Sequence, residues 1–489
     1  MPLVLAGQDR ANARRLQRLA EQGQLRRIHP GIYTDDLVQP IEVVVRRELY
    51  ALCAAIAPGC IISHRSALES RPTQGGNYYL SGGYRREIQL PGTTLRIAEA
   101  PGPLETDIRI PTFAGDAFVS SQARAVLENL LPSRGAPSER RTIGAAGVEE
   151  WLERFISRDV ADAANQLRDA AREIATSLGL TSQFKQLDST IGALLGTRKA
   201  RLSAPAAIAR AGRRPYDSTR VDLFDALAEA LTKDPLHVPP VDGSADPQLQ
   251  AFVETYFSNY IEGTEFELEE AHNIVLNGQP VRYREDDSHD ILGTYRAILG
   301  SKRSPVIPQT AQAFVSHLKE WNSQVIESRR DKKPGEFKTE PNRAGQTYFV
   351  KPEMVPGTLM MGYETIMRAA TPANRAVLAM FVVAEVHPFT DGNGRTARVA
   401  MNHFLTHAGL TRIIIPTVFR DDYISALKAI STNAHLEPLL RMFARAARFS
   451  RWLDMSSMAN CFAALTRSNA LERPESGRLS FDDESRAGE

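Results

Sequence analysis

The sequence predicts a mainly α fold in which a mixed α/β N-terminal module precedes a helical C-terminal domain. Three features predict it. From Val221 to the end of the 440s, apolar residues recur at helical spacing, with one Gly/Pro-rich interruption at 334–357. Residues 78–99 alternate apolar and polar between Gly-Gly and Pro-Gly turns, which is the period of strands. Residues 147–200 read as helical, and 200–219, dominated by Ala, Pro, Gly and Arg, break the pattern.

A chain of 489 residues is too long for one core. Four segments are expected: a module over 1–130, a helical connector and linker over 131–219, a helical domain over 220–450, and a C-terminal helix with a tail over 451–489. From about Ser468 the tail is polar and is expected to be disordered. At the other end, residues 10–22 form a helix with Leu16 and Leu19 inside and arginines outside. Gly23 breaks it, and a short hairpin turns at Pro30-Gly31. Helical periodicity returns over 40–56.

Composition narrows the class. Hydrophobic residues make up 43%, charged residues 24%, and the formal net charge is +1, so bulk charge would not coat nucleic acid or an anionic membrane. The first 100 residues, with 13 Arg, no Lys and nine Asp plus Glu, are locally basic. Cys53, Cys60 and Cys461 fit neither a disulfide framework nor a zinc spacing, which suits a reducing compartment. The opening apolar run is too short for a signal peptide, and no stretch approaches the ~20 apolar residues of a bilayer span. The expectation is a cytoplasmic protein with no membrane partner.

Chemistry concentrates in His387-Pro-Phe-Thr-Asp391-Gly-Asn-Gly-Arg395-Thr-Ala-Arg398. Thr371-Pro372 starts a helix, and Val377, Leu378, Phe381 and Val382 give it an apolar stripe up to His387, where Pro388 stops it. A second helix is expected from about Arg395, with Ala397, Ala400, Met401, Phe404 and Leu405 inward and Gly409 closing it. The loop between them is suited to polyphosphate. Gly392 and Gly394 allow positive-φ turns that aim backbone N–H groups at one point, and the second helix offers its positive end. Arg395 and Arg398, three apart, can reach phosphates from one face. Asp391 can supply the one carboxylate that Mg²⁺ often takes beside phosphates, and His387 can accept a proton near neutral pH. Taken singly these residues are ordinary: a helix-ending histidine and a solvated arginine face. Their conjunction within twelve positions is what carries weight. His403 and His407 share a face at i, i+4, but no Glu follows the first as in a metalloprotease motif, so they read as structural or surface residues.

The segment resembles the signature of the Fic family, His-x-Phe-x-(Asp or Glu)-Gly-Asn-Gly-Arg-x-x-Arg, and matches it without departure. Ser258-Asn-Tyr-Ile-Glu262-Gly263 is similar to the family's inhibitory motif. Residues 334–355 look like its flap, a hairpin that clamps the target. Ile415-Pro-Thr-Val-Phe-Arg-Asp-Asp-Tyr423 resembles the stretch that follows the catalytic helix. The likeness covers about 220–450.

The resemblance implies a protein adenylyltransferase using ATP and Mg²⁺. His387 would deprotonate a Ser, Thr or Tyr hydroxyl of a target protein, which attacks the α-phosphate. Asp391 would hold Mg²⁺. Gly392, Asn393, Gly394 and Arg395 would steady the phosphates, and Arg398 would pair with the γ-phosphate. Glu262, supported by Ser258, would pair with Arg398 and brake the enzyme. The same site could instead remove AMP or transfer UMP or another phosphate-linked group. Gly394 disfavours phosphate transfer, since kinase-like variants usually carry Lys there. Self-modification and a homodimer are compatible with the reading.

Residues 9–34 and Ile62-Ser-His-Arg-Ser-Ala-Leu68 are similar to the winged helix-turn-helix of AbiE-type antitoxins. That resemblance implies a DNA partner and, in the extreme, a DNA-binding regulator with a vestigial Fic domain. The departure is that only about eight residues precede the first helix, where those proteins carry another helix or two.

Overall fold

The computed structural model describes residues 3–7, 9–158, 161–241, 243, 245–303, 306–345, 347–475 and 477–482. The chain divides into two compact units, Met1–Arg213 and Arg214–Glu489. As expected, it is mainly helical, with its sheets in the N-terminal unit and a two-stranded hairpin in the second.

The first unit opens with a small antiparallel sheet in which Val4–Leu5 and Arg26–His29 flank Ile32–Thr34, with helix Arg10–Glu21 between the first two strands. Asp9 caps that helix by accepting from the Ala11 amide, and Leu16 is its buried anchor. Strand Val4–Leu5 precedes that helix. The larger sheet has six strands, ordered Arg86–Leu90, Thr93–Glu99, Asn77–Gly82, Ile61–Ile62, Gly115–Val119, Ile108–Thr112. The last two were not anticipated. Their burial is irregular and one carries Pro111, so their alternation is weak.

The expected boundary at 130 is absent, because helix Gln122–Asn129 serves both halves. Its Val126 and Leu127 pack with Leu152, Leu187 and Ile191 of the following helices. Its Arg124, buried completely, pairs with Asp107 and Glu128 at 2.7 Å each, and Glu128 accepts the His64 amide. Only loss of both carboxylates would strand this buried cation, a change that costs about 3–5 kcal/mol. The linker expected over 200–219 holds helix Pro205–Ala211, whose Ala207 is fully buried in the same core.

In the second unit, helix Pro372–Val386 is the central element. Thr371 Oγ accepts from the Asn374 amide at 3.1 Å, and every residue from Ala376 to Val383 is completely buried. An apolar helix without a polar face can only sit inside other helices. It packs against Val355–Arg368 on one side and Asn393–His407 on another. Helix Pro247–Ile261 is likewise buried over most of its length. Asp246 caps its start, and Arg412 clamps its Glu254 bidentately at 2.6 and 2.8 Å. Its end, at Glu262 and Gly263, is thereby fixed beside helix Asn393–His407.

The tail departs from expectation. Residues 468–475 and 477–482 are packed: Ala470 is fully buried, Leu479 nearly so, and the Phe481 ring lies 5.7 Å from both Phe449 and Trp452. Three apolar residues in a polar stretch suffice to dock it. Residues 483–489 lie outside the described residues.

Candidate active site

Helix Pro372–Val386 ends on His387, whose backbone sits in the left-handed region at φ 51. The chain then runs through Pro388 to Gly392, at φ 75, and enters helix Asn393–His407. A Cβ at 392 would lie 2.8 Å from Ile326 Cγ2, so glycine is required there for space as well as for φ. Asn393 braces the loop from inside. It accepts from the Phe389 amide at 2.8 Å and donates to the Phe389 carbonyl at 2.9 Å. Both ends of its amide thus bond the loop.

Gly394 differs from expectation. It lies inside the helix without a positive φ, and its lack of a side chain serves another purpose. A Cβ there would overlap Glu262 Oε1 and come within 3.2 Å of Arg398 Nη1. The bare helix turn is what admits the Glu262 carboxylate.

Arg398 is held from three sides. Its Nε donates to Ser258 Oγ at 2.9 Å, and its Nη2 donates to the Ser258 carbonyl at 2.7 Å and to Glu262 Oε1 at 2.8 Å. Ser258 therefore supports Glu262 through Arg398. Burial pushes the Glu262 carboxyl up, but Arg398, Arg395 and the hydrogen bond outweigh it and hold the group below its ordinary value. Gly263, at φ 92, lets the chain leave the helix directly after the glutamate.

Arg395 turns elsewhere. Its Nη1 pairs with Asp290 at 2.8 Å and donates to Asn259 Oδ1 at 3.3 Å, while its Nη2 stays 3.7 Å from Asp391. Asp391 keeps a third of its side chain exposed, and its Oδ1 takes the Gly392 amide at 2.6 Å. Among the described residues, no three His, Cys, Asp or Glu side chains form a metal cage. A partly exposed single carboxylate does fit Mg²⁺ that draws its other ligands from phosphate and water.

His387 is covered by a residue that sequence reasoning did not single out. The Phe349 ring lies flat on the imidazole, with centroids 3.8 Å apart and 7° between planes. Burial lowers the His387 pKa to about 4, helped by Lys338 and opposed by the Ala384 carbonyl and Glu262. The ring is neutral at pH 7 and able to take a proton.

Phe349 belongs to the segment expected as a flap. Its hairpin pairs Arg343–Ala344 with Thr347–Tyr348, and its base is fastened to the histidine loop. The Lys338 amide donates to the Pro388 carbonyl at 2.9 Å, and Asn342 Nδ2 donates to the Phe389 carbonyl at 3.0 Å. Arg220 donates to the Tyr348 carbonyl at 2.7 Å and pairs with buried Glu385, which accepts from Ser431 Oγ. Asn322 links both parts, donating to the Asp391 carbonyl at 2.9 Å and accepting from the Gly335 amide at 3.0 Å. A cavity of about 220 Å³ is lined by His387, Phe349, Glu262, Arg398, Ile424 and Leu427. One cavity thus holds a neutral base, a cationic clamp and an apolar wall.

His403 is a core histidine, with its ring nitrogens near the Val306 and Ser301 carbonyls at 2.9 and 3.3 Å. His407 is exposed.

Residues 313–405 match the model of the Fic/DOC family. The protein adenylyltransferase fic-1 of Caenorhabditis briggsae is 26% identical over 200 residues, covering 40% of this chain and 39% of that protein. The protein adenylyltransferase Fic of Drosophila melanogaster is 30% identical over 244 residues, covering 47% and 46% respectively. The chain thus spans less than half the length of these relatives. Among solved structures, Fic-1 (residues 134–508) of C. elegans aligns with TM-score 0.36 and 19% identity, covering 71% of this chain and 94% of that one.

Proposed function

We propose that this chain is a protein adenylyltransferase that moves AMP from ATP to a Ser, Thr or Tyr hydroxyl of a protein. The observation that carries it is the sharing of one cavity by neutral, buried His387 and the Arg398 clamp, at the start of helix Asn393–His407. His387 takes the proton of the target hydroxyl as its oxygen attacks the α-phosphorus, and the bond to the β-phosphate's bridging oxygen breaks, releasing pyrophosphate. Free N–H groups at the helix start and Arg398 stabilise charge on the phosphates. Asp391 would hold Mg²⁺, which neutralises phosphate charge when bound. The remaining work is positioning.

The 2.8 Å pair of Glu262 with Arg398 supports autoinhibition. Arg398 spends a donor on Glu262 that a γ-phosphate would otherwise receive. ATP then binds without its outer phosphate in place, and the α-phosphorus is out of line with the incoming hydroxyl.

The test uses Glu262→Gly protein, a cell lysate, and ATP labelled on the α- or the γ-phosphate. Label should enter protein from the α-position only, and mass spectrometry should locate it on a hydroxyl side chain. Retention of γ-label would mean phosphate transfer, and retention of neither would end the proposal. Unlabelled CTP, GTP and UTP as competitors report the base preference.

A second reading concerns the N-terminal unit. Arg10, Arg14, Arg15 and Arg18 are all exposed on one helix beside a small sheet, which supports contact with a phosphate backbone. Residues 1–213 form a compact unit by themselves. If they bind DNA, full-length protein should be retained on a DNA column, and retention should fall steeply between 50 and 200 mM salt as expected for several phosphate contacts. Passage at low salt would dismiss this reading.

A further inference from the structure

Arg395 faces two carboxylates. Asp391, four residues back across the loop, is the nearer in sequence, yet the guanidinium is 3.7 Å from it and 2.8 Å from Asp290, which comes from helix Glu285–Arg303. Asp290 is 1% exposed and also grips Arg329, through Nε at 3.0 and 3.1 Å and Nη2 at 2.7 Å. Arg329 is a quarter exposed, and Asp290 raises its pKa first among several causes. One buried carboxylate is thus held between two guanidiniums, a geometry that fixes its position closely. Within this cluster the Arg395 Nε is buried with no hydrogen-bond partner among the described residues. A buried N–H without an acceptor is costly.

We propose that Asp290 is a positioning residue for the site: by holding Arg395 it keeps that guanidinium at 3.7 Å from Asp391 rather than in hydrogen-bond contact with it, leaving the Asp391 carboxylate for a divalent cation on the nucleotide phosphates. The inference rests on the reading of the loop as a nucleotide site. The physical conflict is simple. A side chain four positions away on one surface closes readily onto a carboxylate. An arginine so placed would fill the coordination position and cancel the charge that draws the cation. Both arginine and cation are needed near the phosphates, so the arginine must be tethered to another anion. Asp290 is that anion, and Asn259 Oδ1, 3.3 Å away, is a weaker second tether. Arg329 keeps Asp290 from relaxing toward Arg395 alone.

The test measures binding, not turnover. Full-length Glu262→Gly protein is titrated with α,β-methylene-ATP by calorimetry, once with Mg²⁺ and once with EDTA. The ratio of the two affinities is the gain due to metal. Asp391→Asn should bring the ratio close to one and sets the floor. Asp290→Asn should lower it about tenfold, as Arg395 moves onto Asp391. In the double variant Asp290→Asn/Arg395→Gln the cluster keeps its net charge, and no arginine is left to close on Asp391. Its ratio should return to within about twofold of the parent, even if both affinities are lower. Thermal melting monitors folding. Should Asp290→Asn fail to fold, the double variant decides, and a double variant without the metal gain overturns the role given to Asp290. A folded Asp290→Asn protein that keeps the full gain overturns it too. A parent with no metal gain overturns the nucleotide-site reading and takes Asp290's role with it, whereas a parental gain that survives Asp290→Asn removes only the latter.

Discussion

Glu262→Gly is expected to raise AMP transfer about 10- to 100-fold over the unaltered chain. The estimate follows from what the glutamate contributes. Its hydrogen bond to Arg398 joins two ions, and such bonds are worth roughly 1.5–3 kcal/mol net. At about 1.4 kcal/mol per decade, freeing Arg398 for a phosphate spans one to two decades. The glutamate side chain is a third exposed, which places the effect toward the lower end. Ser258 keeps its two bonds to Arg398, so the guanidinium stays aimed where Glu262 met it. Labelled AMP incorporation at matched protein concentration measures the change. A rate equal to or below that of the unaltered chain, with the same melting temperature, would remove the brake from the model.

His387→Asn in the Glu262→Gly background is expected to lower transfer by about 10²–10⁴-fold, the usual contribution of a positioned general base. Asparagine is chosen because φ is 51 at this position, and it tolerates the left-handed region better than alanine. Nucleotide affinity should change little, since the imidazole faces the hydroxyl rather than the phosphates in the proposed step. The same ring offers a second observable. Its pKa is lowered to about 4, first by burial, with Lys338 adding to that and Glu262 opposing it. Protonation is therefore confined to pH values near or below 4, and the His387 resonances should not titrate between pH 5 and 8. With Glu262 removed the pKa shifts further down, not up. A titration centred near 6.5 would mean that Phe349 does not cover the ring in solution.

Much of this site was legible because its parts are local. Thr371, Pro372 and the apolar run mark one helix, Pro388 its stop, and Asp391 to Gly394 the turn into the next. Caps, φ demands and periodicity act over a few residues; the first helix ends where expected, and the second begins at Asn393, two residues before the expected Arg395. The Glu262–Arg398 contact spans 136 positions and was reachable only through a resemblance between patterns. Asp290, Asn322 and Arg220 had no such pattern. Each earns its place by packing of separate helices, and an aspartate in a helix looks the same in sequence whether it faces water or two arginines. Gly394 shows a subtler failure. Glycine was read as a conformational device, because that is its commonest local role, whereas here it is a vacancy shaped to a distant side chain. The tail failed for the opposite reason, since polar composition masked Ala470, Leu479 and Phe481, which anchor it.

That vacancy sets a rule for covariation. A side chain at position 394 and the carboxylate from 262 compete for one space, since the first added carbon would overlap the glutamate oxygen and the glutamate would have to swing aside. Any chain built on this plan with a larger residue at the 394 position must control Arg398 by some other means, or leave it unrestrained. Conversely, a chain that keeps glycine there while losing the glutamate has room at that point for an activator, or an inhibitor, carrying its own anion.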